Sequence, residues 1–307
     1  MRVELRQRLV FGSLIGSVLL VVLTWDAISD RHWGALVLGV GAVILAAREF
    51  RRLTVNRAVH ARLAPLVVVA VGLVFEAHLH DPWWCPEHAG AARERLAASP
   101  VVPLLLGLGM FWTALAQMQR YATEQFIASL GATTFGMLYL GVSFNLLERL
   151  ALLDAAPGYY LAQAEPANRG GMLLLVLLAT VKFGDIAAYF GGRAFGRHRL
   201  SPLISPGKTW EGFAFSFVGA VGGTYLFTAL FVWGLGASPF NGWWQPLVWG
   251  LILGPMGVAG DLVESALKRD ASVKDSGTLV PGFGGWLDLA DALIIAAPVA
   301  YLLALVL

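Results

Sequence analysis

Apolar runs of membrane-spanning length alternate with short polar breaks along the whole chain. They cover approximately residues 9–25, 33–47, 63–79, 101–118, 126–147, 171–192, 212–236, 243–260 and 289–307, the second and eighth being short. A bilayer's hydrocarbon core is about 30 Å thick, so a spanning helix needs roughly 20 mostly apolar residues. The pattern predicts an all-α, polytopic integral membrane bundle of about nine transmembrane helices. Aromatic residues gather near the run ends (Trp25, Trp33, Trp83, Trp84, Tyr159, Tyr160, Trp243, Trp244, Trp286), where amphipathic rings settle at headgroup level.

Composition agrees, with 57% hydrophobic and 14% charged residues. Alternate breaks hold 16 of the 22 lysines and arginines and the others hold 5, which places the amino terminus in the cytoplasm and the carboxyl terminus outside. The basic start followed by an apolar run also describes a signal peptide, but the run is long, no small-residue cleavage pattern precedes Trp25, and the charge bias needs this span. No soluble domain or repeat is visible; the chain divides into N-terminal helices over 1–170 and a C-terminal, chemistry-bearing region over 171–307. His78, His80, Cys85 and His88 match no zinc spacing and read as an outer loop. Pro103 and Pro298 fall inside spans, and the remaining polar breaks read as loops.

Charge enters the apolar pattern in three places. Lys182 and Asp185 are three residues apart inside the sixth span, with Tyr189 a turn beyond; charge in a span is costly and is usually partnered and functional. The loop 191–212 is basic and ends in SPGKTWEG, where Lys208 and Thr209 directly precede a span without the spacing of a P-loop. The stretch 260–291, GDLVESALKRDASVKDSGTLVPGFGGWLDLAD, concentrates carboxylates, cations and glycines. Asp261, Glu264, Ser265 and Lys268 share one face if the preceding run continues as a helix. Carboxylates beside cations and glycine backbone suit a metal-bound polyphosphate.

The segments FGDIAAYFGGRAFGRHRLSPLISPGKTWEG and GDLVESALKRDASVKDSGTLVPGFGGWLDLADAL resemble the phosphatidate cytidylyltransferases, or CDP-diacylglycerol synthases, in a divergent branch. The family signature approximates S-x-x-K-R-x4-K-D-x-x, then P-G-H-G-G, then D-R-x-D. Ser265, Lys268, Arg269, Lys274, Asp275, Pro281, Gly282, Gly284, Gly285, Asp288 and Asp291 fit its order and spacing. Phe283 replaces the family histidine and Leu289 the family arginine. The specific similarity covers about 182–298; earlier, Arg48-Glu49-Phe50 is similar to the family without being diagnostic.

The resemblance implies transfer of a cytidylyl group from CTP to phosphatidate, giving CDP-diacylglycerol and pyrophosphate, with Mg2+ and room for a second cation. It implies that Asp261 and Asp288 bind metal, with Asp291 and Asp185 as further candidates. Lys268, Arg269 and Lys274 would hold phosphates, Ser265 would hydrogen-bond one or serve packing between helices, and Gly284 and Gly285 would let the backbone approach an anion. Lys208 and Thr209 would form the opposite wall. The site would face the cytoplasm from the inner membrane, in a chain compatible with a homodimer and without a nucleic-acid partner. Two other readings stay open: a lipid- or nucleotide-binding relative that has lost turnover, suggested by the two departures, and a transporter, suggested by Lys182, Asp185 and glycine-interrupted spans. Against a transporter, no two halves of the chain resemble each other and the charges converge on one face.

Overall fold

The computed structural model describes residues 16–18, 21–22, 25, 33–57, 59–79, 100–119, 125–153, 169–280, 282 and 284–307. From Trp33 on, the described residues form eight helices and one hairpin in order: α1 (Trp33–Val55), α2 (Leu63–His78), α3 (Val101–Met118), α4 (Phe126–Ala151), α5 (Arg169–Phe195), β1 (Arg199–Ser201), β2 (Ser205–Thr209), α6 (Trp210–Leu235), α7 (Gln245–Asp270) and α8 (Trp286–Val306). All but α2 are long and apolar enough to cross a membrane, and α2 is a shorter apolar helix of 16 residues. Leu104, Leu108, Phe111 and Met118 on α3, and Val218 and Trp233 on α6, are among many large apolar side chains left exposed. In water that pattern would be a liability; against lipid it is the expected outer face. The protein is a multi-pass helical membrane protein. Most of the expected first span, and the loop with His80, Cys85 and His88, lie outside the described residues.

The chain forms two compact units, Met1–Arg149 with Leu267–Leu289, and Leu150–Ala266 with Ala290–Leu307. In the first, Phe50, Leu66, Leu73, Met137 and Leu140 are fully buried. Glycines let α4 approach α2 and α1: a Cβ on Gly141 would lie 3.2 Å from the Ala70 Cα, and one on Gly136 2.8 Å from the Phe50 ring. The middle of α4, Met137–Val142, widens into a π-helical turn. At its far end Glu76 accepts from Asn145 Nδ2 at 2.7 Å and pairs with Arg149 at 2.5 Å, while His78 Nε2 meets Glu148 at 3.2 Å. Glu76, His78, Asn145 and Glu148 are buried among apolar helices, and each has at least one polar partner there, as low-dielectric burial favours.

In the second unit α5 and α6 pack along a seam of small residues. Thr180 Oγ1 meets Thr224 Oγ1 at 2.7 Å, and a Cβ on Gly184 would reach the Ser216 carbonyl at 3.4 Å. α7 joins through Gly254, whose Cβ would sit 2.7 Å from that of Ala220. Such close backbone approach is what association between lipid-facing helices relies on when the hydrophobic effect offers no preference. Pro255 and Pro298 lie within α7 and α8, whereas Pro103 sits in the first turn of α3, where its missing N–H costs no helical bond.

The loop reading of 193–211 needs correction. α5 continues to Phe195, and Arg199–Ser201 pairs antiparallel with Ser205–Thr209. Strands of three and five residues, one carrying Pro206-Gly207, have no alternating pattern to announce them. The hairpin is held by Trp210 N–H donating to the His198 carbonyl at 2.9 Å and by Glu211, which accepts from Arg197 N–H at 3.0 Å and meets His198 Nδ1 at 2.7 Å.

The α5–α6 seam makes a paired prediction. A Cβ at Gly219 would collide with the Phe183 carbonyl and the Ala187 Cβ, whereas one at Gly222 meets nothing within 4 Å. Gly219→Ala is expected to destabilise by about 1–3 kcal/mol, the usual cost of overpacking. Gly222→Ala is expected to be neutral or slightly stabilising, as glycine is a weaker helix former than alanine. Thermal unfolding of both in detergent checks the contrast; equal effects would remove close packing as its cause.

Candidate active site

α7 carries Asp261, Glu264, Ser265 and Lys268 on one continuous helix, as the spacing predicts. Its partners form two clusters, one in each unit.

The cluster of the second unit is built on Asp261. The antiparallel hairpin delivers Lys208, whose Nζ lies 3.0 Å from Asp261 Oδ2 and donates to the Val258 carbonyl at 3.2 Å. Thr209, the next residue, caps α6: its Oγ1 accepts from Gly212 N–H at 3.1 Å. One residue of this pair thus points a cation at α7 while the other starts the following helix. Asp291 of α8 is near enough for its carboxyl to interact with that of Asp261, and its Oδ1 accepts from Ala292 N–H at 2.6 Å. Asp185 of α5 and Lys182, 4.0 Å apart one turn along that helix, are near enough for their charges to act on Asp261. Gly260 makes the α7–α8 approach feasible, since a Cβ there would lie 2.7 Å from the Ala292 Cα. Asp185, Asp261 and Asp291 therefore gather with Lys182 and Lys208, and the buried Glu264 of α7 is near enough to act on Asp291 as a fourth acid. Asp291 is only 7% exposed.

The cluster of the first unit is built on Asp288, in the first turn of α8. Its Oδ1 accepts from Lys268 Nζ at 2.6 Å; its Oδ2 accepts from Ser276 N–H at 2.9 Å, lies 2.9 Å from Ser276 Oγ, and accepts from Gly285 N–H at 2.7 Å. The glycine turn closes on itself, with Val280 N–H donating to the Gly284 carbonyl at 2.9 Å and Gly284 N–H to the Val280 carbonyl at 3.0 Å. Gly284 has φ +100°, a conformation glycine adopts without strain. At Gly285 a Cβ would come within 2.7 Å of Gly277 N and would strike Ser276 and Glu49. The N–H groups of Gly284 and Gly285, expected to face an anion, are thus engaged inside the loop, and the two glycines shape it instead.

Glu49 has a part here that sequence reasoning missed. It is 1% exposed, and its carboxylate accepts from Trp286 N–H at 3.0 Å and Leu287 N–H at 2.8 Å, capping α8 from another helix. Its Oε2 also lies 2.9 Å from Ser276 Oγ, so a single hydroxyl links Glu49 to Asp288. The available signal was one acid closing an apolar run, since a carboxylate in such a place needs partners.

The expected metal pair, Asp261 and Asp288, therefore has separate partners: Lys208 and Asp291 for the first, and Lys268, Ser276 and Gly285 for the second. Ser265 is half-buried on α7, while Arg269, at the end of that helix, and Lys274, beyond it, are exposed. Pro281 and Phe283 lie outside the described residues. Among the described residues no group of three His, Cys, Asp or Glu side chains could hold a metal ion alone. Magnesium does not require one, because it commonly takes one or two carboxylates and completes its shell with water and substrate phosphates. The adjoining carboxyls of Asp261 and Asp291 fit that donor set.

The cytidylyltransferase family model matches residues 6–307. The chain belongs to this family. Among its relatives is a phosphatidate cytidylyltransferase of Chlamydia muridarum, 34% identical over 200 residues that cover 64% of this chain and 62% of that protein. The phosphatidate cytidylyltransferase of Brucella suis is 44% identical over 133 residues, covering 43% of this chain and 47% of that protein. The uncharacterized protein YnbB of Escherichia coli is 44% identical over 132 residues, covering 43% and 42%. The matched stretches thus span less than two thirds of each of these relatives.

Glu49 yields a test of the loop's architecture. Glu49→Gln replaces one acceptor oxygen with an amide that can donate but cannot accept, leaving buried donors short of an acceptor. It is expected to lower stability by roughly 1–3 kcal/mol and to speed proteolysis of the 271–285 loop. Protease accessibility at unchanged overall helicity is the measurement, and a loop as resistant as the wild type would show that Glu49 does not hold it.

Proposed function

We propose that this cytidylyltransferase-family chain transfers a cytidylyl group from CTP to phosphatidate in the bilayer, releasing pyrophosphate and forming CDP-diacylglycerol. A phosphate oxygen of phosphatidate attacks the α-phosphorus of CTP, a P–O bond forms, and the α–β bridging P–O bond breaks as pyrophosphate leaves. The observation that carries this reading is the gathering of Asp185, Asp261 and Asp291 with Lys182 and Lys208 inside apolar helices.

Two anionic substrates approach each other only where positive charge offsets their repulsion. A Mg2+ held by Asp261 and Asp291 would supply that charge and polarise the α-phosphate. Lys208 keeps a cation at Asp261 before substrate arrives and is placed to turn to a phosphate. Asp185 with Lys182 balances the local charge. Asp288, whose oxygens are committed to Lys268 and the loop, serves best by positioning Lys268 and holding the loop in shape; Arg269, Lys274 and Ser265 add donors along the same stretch. The predominance of basic residues in the breaks that include these segments supports a site facing the cytoplasm from the inner membrane.

The deciding assay is Mg2+-dependent formation of CDP-diacylglycerol from labelled CTP and phosphatidate by the purified protein in detergent. Asp261→Asn and Asp291→Asn are each expected to cut turnover by roughly 100-fold or more, as removal of a charge-stabilising group at a reacting centre does. Wild-type activity in either variant would sink the assignment of the carboxyl pair. If the wild type binds CTP or phosphatidate without turning it over, the reading as an enzyme fails and that of a binding relative replaces it.

A second test concerns the departure at Phe283. The attacking phosphate is already ionised near neutral pH, so no strong general base is required. Phe283→His is expected to change turnover by only a small factor, and a rise from none to full activity would refute this account of the step.

A further inference from the structure

Where α1 leaves its apolar stretch it carries Arg48, Arg51, Arg52 and Val55 at i, i+3, i+4 and i+7, along one face, and Asn56 follows in the turn after the helix. Glu49, Phe50 and Leu53 are buried on the other side of the helix, and the three arginines are exposed. Together with Leu63 at the start of α2, the stripe lines a cavity of about 410 Å³. That is within the size range of pockets that hold small ligands.

The other arginines of this segment are engaged. Arg57 pairs with Asp270 at 3.3 Å, and Arg62 Nε donates to Gln117 Oε1 at 2.8 Å. Among the described residues no carboxylate lies within ion-pair distance of Arg48, Arg51 or Arg52, and the nearby Glu49 is turned to Ser276, Trp286 and Leu287. Like charges at i+3 and i+4 repel, so an anion on this face would be stabilising. Guanidinium forks match phosphate oxygens two at a time. Val55 and Leu63 give the same cavity an apolar wall, which a free phosphate would not use but a lipid would. A place directly after an apolar helical run lies at headgroup depth, where basic pockets between membrane helices bind anionic lipids.

We infer that the cavity at the α1–α2 junction binds the phosphate headgroup of an anionic membrane lipid, through residues distinct from both clusters of the candidate active site. A nucleotide or inorganic phosphate shares the anionic chemistry, and the test separates these sources. The probe is fluorescent phosphatidylglycerol, which is anionic but is not the proposed acceptor lipid, added to the full chain in neutral detergent. The wild type is expected to bind it about tenfold or more tightly than phosphatidylcholine, in keeping with the pull of several basic residues on an anionic headgroup. Joint replacement Arg48→Gln, Arg51→Gln and Arg52→Gln should abolish that preference, and the corresponding lysine replacements, which keep the charge but lose the guanidinium fork, should retain only part of it. Arg51→Gln alone, at an exposed position, should weaken it partially, so the test does not depend on the triple variant folding. Inorganic phosphate and CTP should leave the lipid in place. An undiminished preference after the glutamine replacements would overturn the site, and displacement by phosphate or CTP would overturn its assignment to lipid. Neither outcome depends on transferase activity.

Discussion

The ion pair between Lys208 and Asp261 answers the constraint on which the second unit depends. Carboxylates in apolar helices lose the solvation that makes their charge tolerable, and they persist where cations and hydrogen bonds replace it. Asp261, Asp185 and Asp291 share two lysines, and one of these comes from outside the helices. This explains the two-stranded hairpin between α5 and α6. Its second strand delivers Lys208 to Asp261, Thr209 then starts α6, and Glu211 secures the turn through Arg197 and His198. With Glu264 also acting on Asp291, the cluster holds more carboxyls than lysines, a surplus of acid that suits a further cation more than another anion.

The first unit meets the same constraint by another route. Among the described residues no lysine or arginine pairs with the buried Glu49; two backbone N–H groups at the start of α8 and the Ser276 hydroxyl take that role. A helix N-terminus favours negative charge, so a carboxylate arriving there from α1 is stabilised by the helix it caps. The consequence is mechanical: α1, the 271–285 loop and α8 are fixed to each other through one side chain. Gly277 and Gly285 have to be glycine because Glu49 and Ser276 occupy the space that their side chains would fill.

Most of the membrane architecture was legible in the sequence because it rests on run length alone. The run at 101–118 became a helix of those limits, and 126–147 was recognisable despite a π-helical turn that apolar length cannot reveal. Helices α5 and α7 were underestimated at their polar ends, since a hydropathy pattern stops at Gly192 and Gly260 while backbone hydrogen bonding continues to Phe195 and Asp270. The gathering of Asp185, Lys208, Asp261 and Asp291 was partly legible, because each charge interrupts an apolar run or borders one. Their partners were not. The choice of Asp291 as the neighbour of Asp261, and of Lys268 as the neighbour of Asp288, depends on helix rotation and on the approach allowed by Gly260, which a one-dimensional pattern does not encode. Glu49 was hidden for a related reason, as its partners are more than two hundred residues away in sequence.

The departure at Leu289 also takes on a different weight once Asp288 is seen in place. An arginine beside this aspartate could serve to neutralise it, and its loss would then leave a half-buried carboxylate exposed to the full cost of desolvation. Asp288 has no such deficit: Lys268 supplies the charge on one oxygen, and Ser276 and Gly285 satisfy the other. Leu289, half-buried on the first turn of α8, is therefore not needed to hold the carboxylate. The substitution removes a cation from the edge of the loop while leaving the loop's own bonding complete. Any effect of the missing arginine must accordingly be sought in how substrate is held rather than in how the protein folds.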